Sequence, residues 1–252
     1  MRLLFLVMCL LITAVSAAER MTFLSYNVFF DDPSGEIRYP QIIAHITSRS
    51  PDIVCLQECT PTFLALLKDA GSLRDYTIYP EGQTGAYFNL ILSKRPTAAA
   101  GVLRLPSRMG RSAPFIDVDI QGTLTRLYCI HLESLEGEGS VRMRSAQLLV
   151  LVEHMQKKPA ILVGDFNFSA DAEVTDLIPA KGEWEMADEP TFDPVHNPLA
   201  RETASDDEPP RRLDRIHSLF GASQGTCIRE LVFYSDHYPI LGEFATGDHA
   251  SP

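Results

Sequence analysis

Short apolar runs that each stop at a polar residue dominate this chain, and they constrain it to strands whose ends share one rim. FLSYN reaches Asn27, IVCLQE reaches Glu58, LYCIH reaches His131, and AILVGDFN reaches Asp165 and Asn167. A fifth piece, SDH, supplies Asp236 and His237 just before the closing run YPILGEF. A polar side chain at the end of a buried strand is costly unless it is paired or ligates something. The set offers carboxylates, amides and an imidazole, the groups that metal-assisted phosphodiester cleavage requires.

Helical patterns alternate with these runs. PQIIAHITSRS places Ile42, Ile43 and Ile46 on one face, and Pro51 closes it. TPTFLALLKDAG opens with a threonine cap and ends at Gly71. Residues 140–157 form the clearest helix, with Met143, Leu148, Leu151, Val152 and Met155 on its apolar side and Pro159 beyond it. YFNLILSK, APFIDVDI, LTRLYCIHLE and RLDRIHSLF read as further strands, and residues 191–212 as an irregular loop. Alternating strands and helices over this length predict a two-sheet core with helices outside.

Each candidate has a chemical and a structural reading. Glu58 is a hard oxygen donor suited to Mg²⁺, or a solvated strand-end glutamate. Asp165 can orient or deprotonate a water, and Asn167, two residues on in an extended strand, shares its face. The alternative for that pair is an Asx-turn. His237 beside Asp236 resembles a carboxylate-held imidazole, but adjacent side chains in a strand point apart. A loop conformation there, or an aspartate acting elsewhere, is required. His131 is read as a phosphate contact. His45, His154, His196, His217 and His249 are read as surface or structural.

Charge restricts the partner. Residues 171–208 carry twelve acidic side chains against Lys181 and Arg201, whereas residues 94–144 carry eight basic against five acidic. The first stretch repels a phosphate backbone and is read as a solvated loop face. A long nucleic-acid footprint is thus unexpected, although a bound cation can supply local positive charge.

Residues 1–19 read as a secretory signal: Arg2, the apolar run LLFLVMCLLITAV, and a small-residue site at Val15-Ser16-Ala17. Cleavage near Ala17 removes Arg2, so the net charge of −11 becomes −12. The expectation is a secreted, extracellular monomer with no transmembrane segment in its mature chain. Cys55 and Cys129 lie within apolar strands as small hydrophobes, whereas Cys59 and Cys227 are the candidates to oxidise.

The set SYN, LQE, HLES, GDFN, LDRI and SDH resembles the endonuclease/exonuclease/phosphatase superfamily. Four features resemble its tyrosyl-DNA phosphodiesterase branch: HLES followed by Arg144-Ser145-Ala146-Gln147-Leu148, AEVT after GDFN, TFD at residues 191–193, and RLDRI before SDH. The resemblance implies a DNase I-like four-layer α/β sandwich, two packed mixed sheets flanked by helices. It implies a catalytic domain over residues 20–246, with a tail at 247–252. It further implies a phosphodiesterase using Mg²⁺, with Mn²⁺ as substitute, on a nucleic-acid end or another phosphodiester. Asn27 and Asn167 would contact the scissile phosphate, Glu58 would hold the metal, Asp165 would activate water and His237 would stabilise the transition state. His131, Ser134 and Phe192 would face the substrate, with Asp214 and Arg144 in support.

Departures from the branch are as telling. Phe29 stands where the branch has a metal-side aspartate, for which Asp31 or Asp32 would have to compensate. Phe168-Ser169-Ala170 stands where it has a basic phosphate grip. Two other readings use the same fold: a secreted sphingomyelinase-like phospholipid phosphodiesterase, for which no convincing exposed aromatic hairpin is present, and an inactive binding module. The presence of Glu58, Asp165 and His237 argues against the last.

Overall fold

The structure, a computed structural model, describes residues 20–31, 34–168, 178, 182–187 and 189–244. Its strands are β1 (Met21–Asn27), β2 (Ile53–Cys59), β3 (Thr77–Tyr79), β4 (Phe88–Ser93), β5 (Thr97–Arg104), β6 (Ser112–Ile120), β7 (Thr123–His131), β8 (Ala160–Asp165), β9 (Asp214–Leu219), β10 (Thr226–Arg229) and β11 (Ile240–Phe244). The helices are α1 (Gly35–Arg49), α2 (Pro61–Asp69), α3 (Glu138–Met155) and α4 (Pro198–Thr203). One sheet runs β10-β11-β1-β2-β4-β3 and the other β5-β6-β7-β8-β9. Each contains one parallel pair, β1 with β2 and β7 with β8, among antiparallel neighbours. The four-layer sandwich of two mixed sheets flanked by helices is therefore the fold.

The period-two alternation of the strands builds the layers. Phe23, Ile53 and Cys55 from the first sheet meet Leu127, Cys129, Ile161 and Val163 from the second in a central core. Their neighbours point the other way: Leu24, Tyr26, Val54 and Leu56 pack under α1 and α2, and Tyr128, Ile130 and Leu162 pack against α3. Following the same parity, Asn27, His131 and Asp165 continue the central seam beyond its last apolar residues. The polar cluster is thus the end of the core.

Several local expectations are corrected. Helix α1 starts five residues before Pro40, which it accommodates in its interior. Thr60 does cap α2, its side chain accepting from Phe63 N. In α3, Met143 and Val152 are half-buried, while Arg144 and Gln147 are buried. The 191–212 loop contains α4, capped by Asn197. Strand β5 went unread because its run TAAAGVLR is mostly exposed and lacks apolar alternation. All four described cysteines are free and buried. Cys59 lies in the outer core and Cys227 in the central one, on opposite faces of the first sheet, so they do not pair.

His217 on β9 is buried, its Nδ1 has no partner, and its ring packs against Gly182. Burial pushes its pKa down from 6.5 to about 4. The unfolded chain therefore takes up a proton below pH 6.5 that the folded chain refuses. Stability is full above that pH and falls as pH drops towards 4, by on the order of 3 kcal/mol in all. Urea titrations at about pH 7, 6 and 5 should show a shallower acid-side loss for His217→Gln, by roughly 1.4 kcal/mol per pH unit.

Candidate active site

The two parallel pairs deliver their carboxyl-terminal ends to one place. His131 and Asp165 are register partners, and Asn27 stands opposite Gln57. Parity alone would send Glu58 outwards with Leu56. A register shift between Leu56 and Cys59, with Glu58 at φ +61°, swings its carboxylate back into the seam. A left-handed non-glycine residue costs roughly 1–3 kcal/mol. The bulge thus stores strain where the chemistry is held.

Asn27 binds the cluster together. Its Nδ2 donates to Glu58 Oε1 at 3.3 Å and to Asp165 Oδ2 at 3.2 Å, and its Oδ1 accepts from Phe29 N. With both protons committed, the amide braces two carboxylates. Glu58 Oε2 also accepts from Phe30 N at 3.1 Å. Burial, then the nearby charge of Asp236, pushes the Glu58 carboxyl up to about 7. Burial likewise raises Asp165 to about 6, with Asp214 adding to the rise and His237 opposing it.

The two imidazoles differ in charge. Burial opposes protonation of His237, but Asp214, Asp165 and Asp236 together hold its pKa well above 6.5. His237 Nδ1 lies 2.8 Å from Asp214 Oδ2, and its Nε2 faces Asp165 Oδ2 at 3.9 Å. The carboxylate supporting His237 is therefore Asp214 and not its neighbour Asp236. Asp236 instead accepts from Ser235 Oγ and Thr203 Oγ1. His131 is the opposite case: burial, Arg111 and His237 hold its pKa well below 6.5. Arg111 Nη1 lies 2.9 Å from its Nδ1. A guanidinium only donates, so the remaining proton sits on Nε2, which faces Asp165 and Glu58 at 3.5 and 3.7 Å.

Arg111 was missed in the sequence. It is buried, touches Tyr87 and Ser134, and belongs to no strand-end motif. Asn167 is not in a strand. Its φ is +55° and its N–H donates to Asp165 Oδ1 at 2.9 Å, an Asx-turn, while its Nδ2 bonds Leu132 O. One amide proton still faces the cleft. Arg144 holds the HLES loop through Glu133 O and Leu135 O, away from the reacting groups. The Phe192 ring is buried against His237 at 5.5 Å. Phe29 is buried beside Arg38, Asp31 is exposed, and Asp32 lies outside the described residues.

These groups open into a cavity of about 850 Å³ lined by Glu58, His131, Ser134, Asp165, Asn167, Phe192 and His237 and walled by residues 203–211. Asp165, Asp214 and His237 bring ligand atoms within 4.8 Å of one another. Because His237 Nδ1 is already bonded to Asp214 and the ring is cationic, that trio reads as an acid–base pair, not a cation cage. Glu58 and Asp236 fit a cation better. Both are hard oxygen donors, Asp236 buried and Glu58 half-buried at the cleft, and both are raised in pKa chiefly by burial, with the charge of Asp236 adding to the rise at Glu58.

The Endonuclease/Exonuclease/phosphatase family profile matches residues 24–250. Tyrosyl-DNA phosphodiesterase 2 of Gallus gallus is 29% identical over 234 residues, covering 81% of this chain; the chain spans only 60% of that relative's length. The crystal structure of D. rerio TDP2 complexed with single strand DNA product is 24% identical, with a TM-score of 0.73, covering 89% of this chain and 98% of that one. Sphingomyelinase C from Streptomyces griseocarneus superposes with a TM-score of 0.75 at 17% identity, covering 91% and 100%. Both structures show the shared fold.

The expectation of secretion is corrected here. The curated relatives carry the name tyrosyl-DNA phosphodiesterase 2, so the comparisons point to DNA chemistry and not to a secreted enzyme. The run read as a signal, residues 1–19, lies outside the described residues. Among the described residues, no helix is long and apolar enough to cross a membrane.

Gly164 fixes how Asp165 enters the seam. Its φ is +144°, and a Cβ there would lie 2.1 Å from Ile130 O on the paired strand. Gly164→Ala should lower stability by on the order of 3 kcal/mol or prevent folding. Chemical denaturation of the purified variant checks this, and wild-type stability would refute the argument.

Proposed function

The chain belongs to the Endonuclease/Exonuclease/phosphatase family, and from that membership we propose that it is a divalent-metal-dependent phosphodiesterase that frees a 5′-phosphorylated nucleic-acid end from a tyrosyl or related adduct. The observation that carries the reading is the convergence of Asn27, Glu58, Asp165 and the His237–Asp214 pair from both sheets on one cleft. The name of the Gallus gallus relative and the strand bound to the D. rerio protein support the nucleic-acid end as substrate.

Each residue then has a task. Glu58 and Asp236 would hold the cation, Mg²⁺ or its substitute Mn²⁺. When bound, that ion supplies positive charge to the phosphate and acidifies water. Asp165, with a pKa near 6, is ionised at neutral pH yet basic enough to take a proton from the attacking water. Asn27 keeps Asp165 and Glu58 in fixed register, so no reorganisation accompanies the proton transfer. Protonated His237 donates from Nε2 to the charge that grows on the phosphate, while Asp214 fixes its ring. His131 donates from Nε2 towards the same space and remains neutral because burial, and then Arg111 at its Nδ1, oppose a second proton. The free proton of Asn167 and the Ser134 hydroxyl line the way in.

The cleft also limits the length of the substrate. Glu136, Asp206, Asp207 and Glu208 line it and repel a long polyanion, which suits an end rather than a duplex.

The test is Mg²⁺-dependent release of tyrosine from a 5′-phosphotyrosyl oligonucleotide, with sphingomyelin and a plain duplex in parallel. The oligonucleotide should be cleaved, and EDTA should stop it. Glu58→Gln and His237→Ala should each lower kcat by about 10²–10³-fold. In EDTA, Glu58→Gln should melt no lower than wild type, because it removes a buried charge that burial disfavours. Undiminished turnover in either variant would overturn the mechanism, and cleavage of lipid alone would overturn the substrate.

A further inference from the structure

The cleft wall opposite the reacting groups contains one feature that the chemistry above leaves unused. Arg211 is the only arginine or lysine among the described residues that line the cavity. Its place is set by the backbone. Phe192 exchanges hydrogen bonds with it, Phe192 N to Arg211 O at 2.9 Å and Arg211 N to Phe192 O at 2.8 Å. On its other side Phe192 forms an antiparallel bridge with His237. Arg211, Phe192 and His237 thus make a short ladder, and Arg211 stands two strand spacings, about 10 Å, from the catalytic histidine.

The guanidinium lies over the Phe192 ring, 5.8 Å from its centroid. Its Nε is buried and has no partner. Nη2 bonds Glu208, and Nη1 meets Glu136 Oε1 at 2.7 Å. The two carboxylates are not equivalent: the Glu136 side chain is 82% exposed and that of Glu208 only 17%. An exposed ion pair is weak and easily exchanged. A phosphate takes a guanidinium fork with two parallel bonds and, being charged, competes well for it. The run after GDFN, Phe168-Ser169-Ala170, brings no cation to the cleft.

We propose that Arg211 determines substrate length: it takes the second phosphate of a nucleic-acid strand whose first phosphate lies at Asp165 and His237, and Glu136 holds its place until the strand arrives. The inference rests on the phosphodiesterase reading above. The footprint then ends at two phosphates, because the remaining charged side chains of that wall, Asp206, Asp207 and Glu208, are acidic.

The test compares two chromogenic compounds, the p-nitrophenyl esters of a thymidine 5′-monophosphate and of a 5′-phosphorylated thymidine trinucleotide. The readout is the preference for the trinucleotide, the ratio of the two kcat/KM values. Arg211→Gln should lower that preference about tenfold, through KM, and reduce the salt slope of trinucleotide binding by about 1. Glu136→Gln removes the competitor and should raise the preference about threefold. Because Glu136 is exposed, its replacement leaves the fold intact, so this arm can overturn the inference even where Arg211→Gln is unstable. An unchanged preference in Glu136→Gln, or in a folded Arg211→Gln, overturns the inference alone. Hydrolysis of neither ester by the wild-type protein overturns the phosphodiesterase reading and this inference with it.

Discussion

Carboxylates forced together where burial opposes their charge are the constraint on which the rest of this site depends. Glu58, Asp165, Asp214 and Asp236 all lie in or beside the seam between two sheets, and burial raises the pKa of three of them. Left alone, such a group would take up protons and lose its chemistry. The fold answers with three devices. Asn27 gives one N–H each to Glu58 and Asp165. His237 carries a positive charge against Asp214 and faces Asp165. Arg111 brings a buried cation to the far wall, where it lowers the pKa of Glu58 and adds to the burial that keeps His131 neutral. Under the proposed function a divalent cation would complete the balance and let an acidic site receive a phosphate.

The parts of the site that were legible in the sequence are those governed by strand parity. Asn27, His131 and Asp165 end apolar runs and keep the inward phase of those runs, so their convergence follows from the alternation itself. Glu58 ends such a run too, but its phase is wrong. Only the bulge, which has no sequence signature in LQE, turns it inwards. Asp214 as the partner of His237 is a contact across 23 residues, and only the resemblance to a family pointed to it. Arg111 was invisible because it follows a turn and ends no apolar run. Its role arises from the pairing of β6 with β7, which sets Arg111, just ahead of β6, beside His131. The amino-terminal run shows the opposite failure: its local pattern fits a secretory signal, whereas the curated relatives carry the name tyrosyl-DNA phosphodiesterase 2.

Strain is distributed in the same way. Of the ten non-glycine described residues with positive φ, four are Phe29, Glu58, Leu135 and Asn167. Each lies within four residues of a group in the site. Such conformations persist where the surroundings over-determine them. Here the surroundings are specific: Phe29 N bonds Asn27 Oδ1, Phe30 N bonds Glu58 Oε2, Arg144 holds Leu135 O, and Asn167 N bonds Asp165 Oδ1. In three of these four turns the side chains of the site therefore serve as the hydrogen-bond partners that keep their own turns in place. Chemistry and local structure are one network, and removing a catalytic side chain also releases a turn.

Topology explains why the site stands where it does. In an antiparallel pair the two strand ends on one rim are a carboxyl end and an amino end. A parallel pair sets two carboxyl ends side by side. Each sheet contains a single parallel pair, and those two pairs, β1 with β2 and β7 with β8, face each other across the core. Four carboxyl ends meet there and deliver Asn27, Glu58, His131 and Asp165 from rigid strands. The fifth element, the SDH loop, is fixed from outside by the Phe192 bridge and by Asn197, whose Nδ2 bonds Ser235 O and Asp236 O. The reacting groups therefore come from the rigid scaffold. The cleft wall from Ser205 to Arg211 is a loop, where charge can change with little effect on the scaffold behind it.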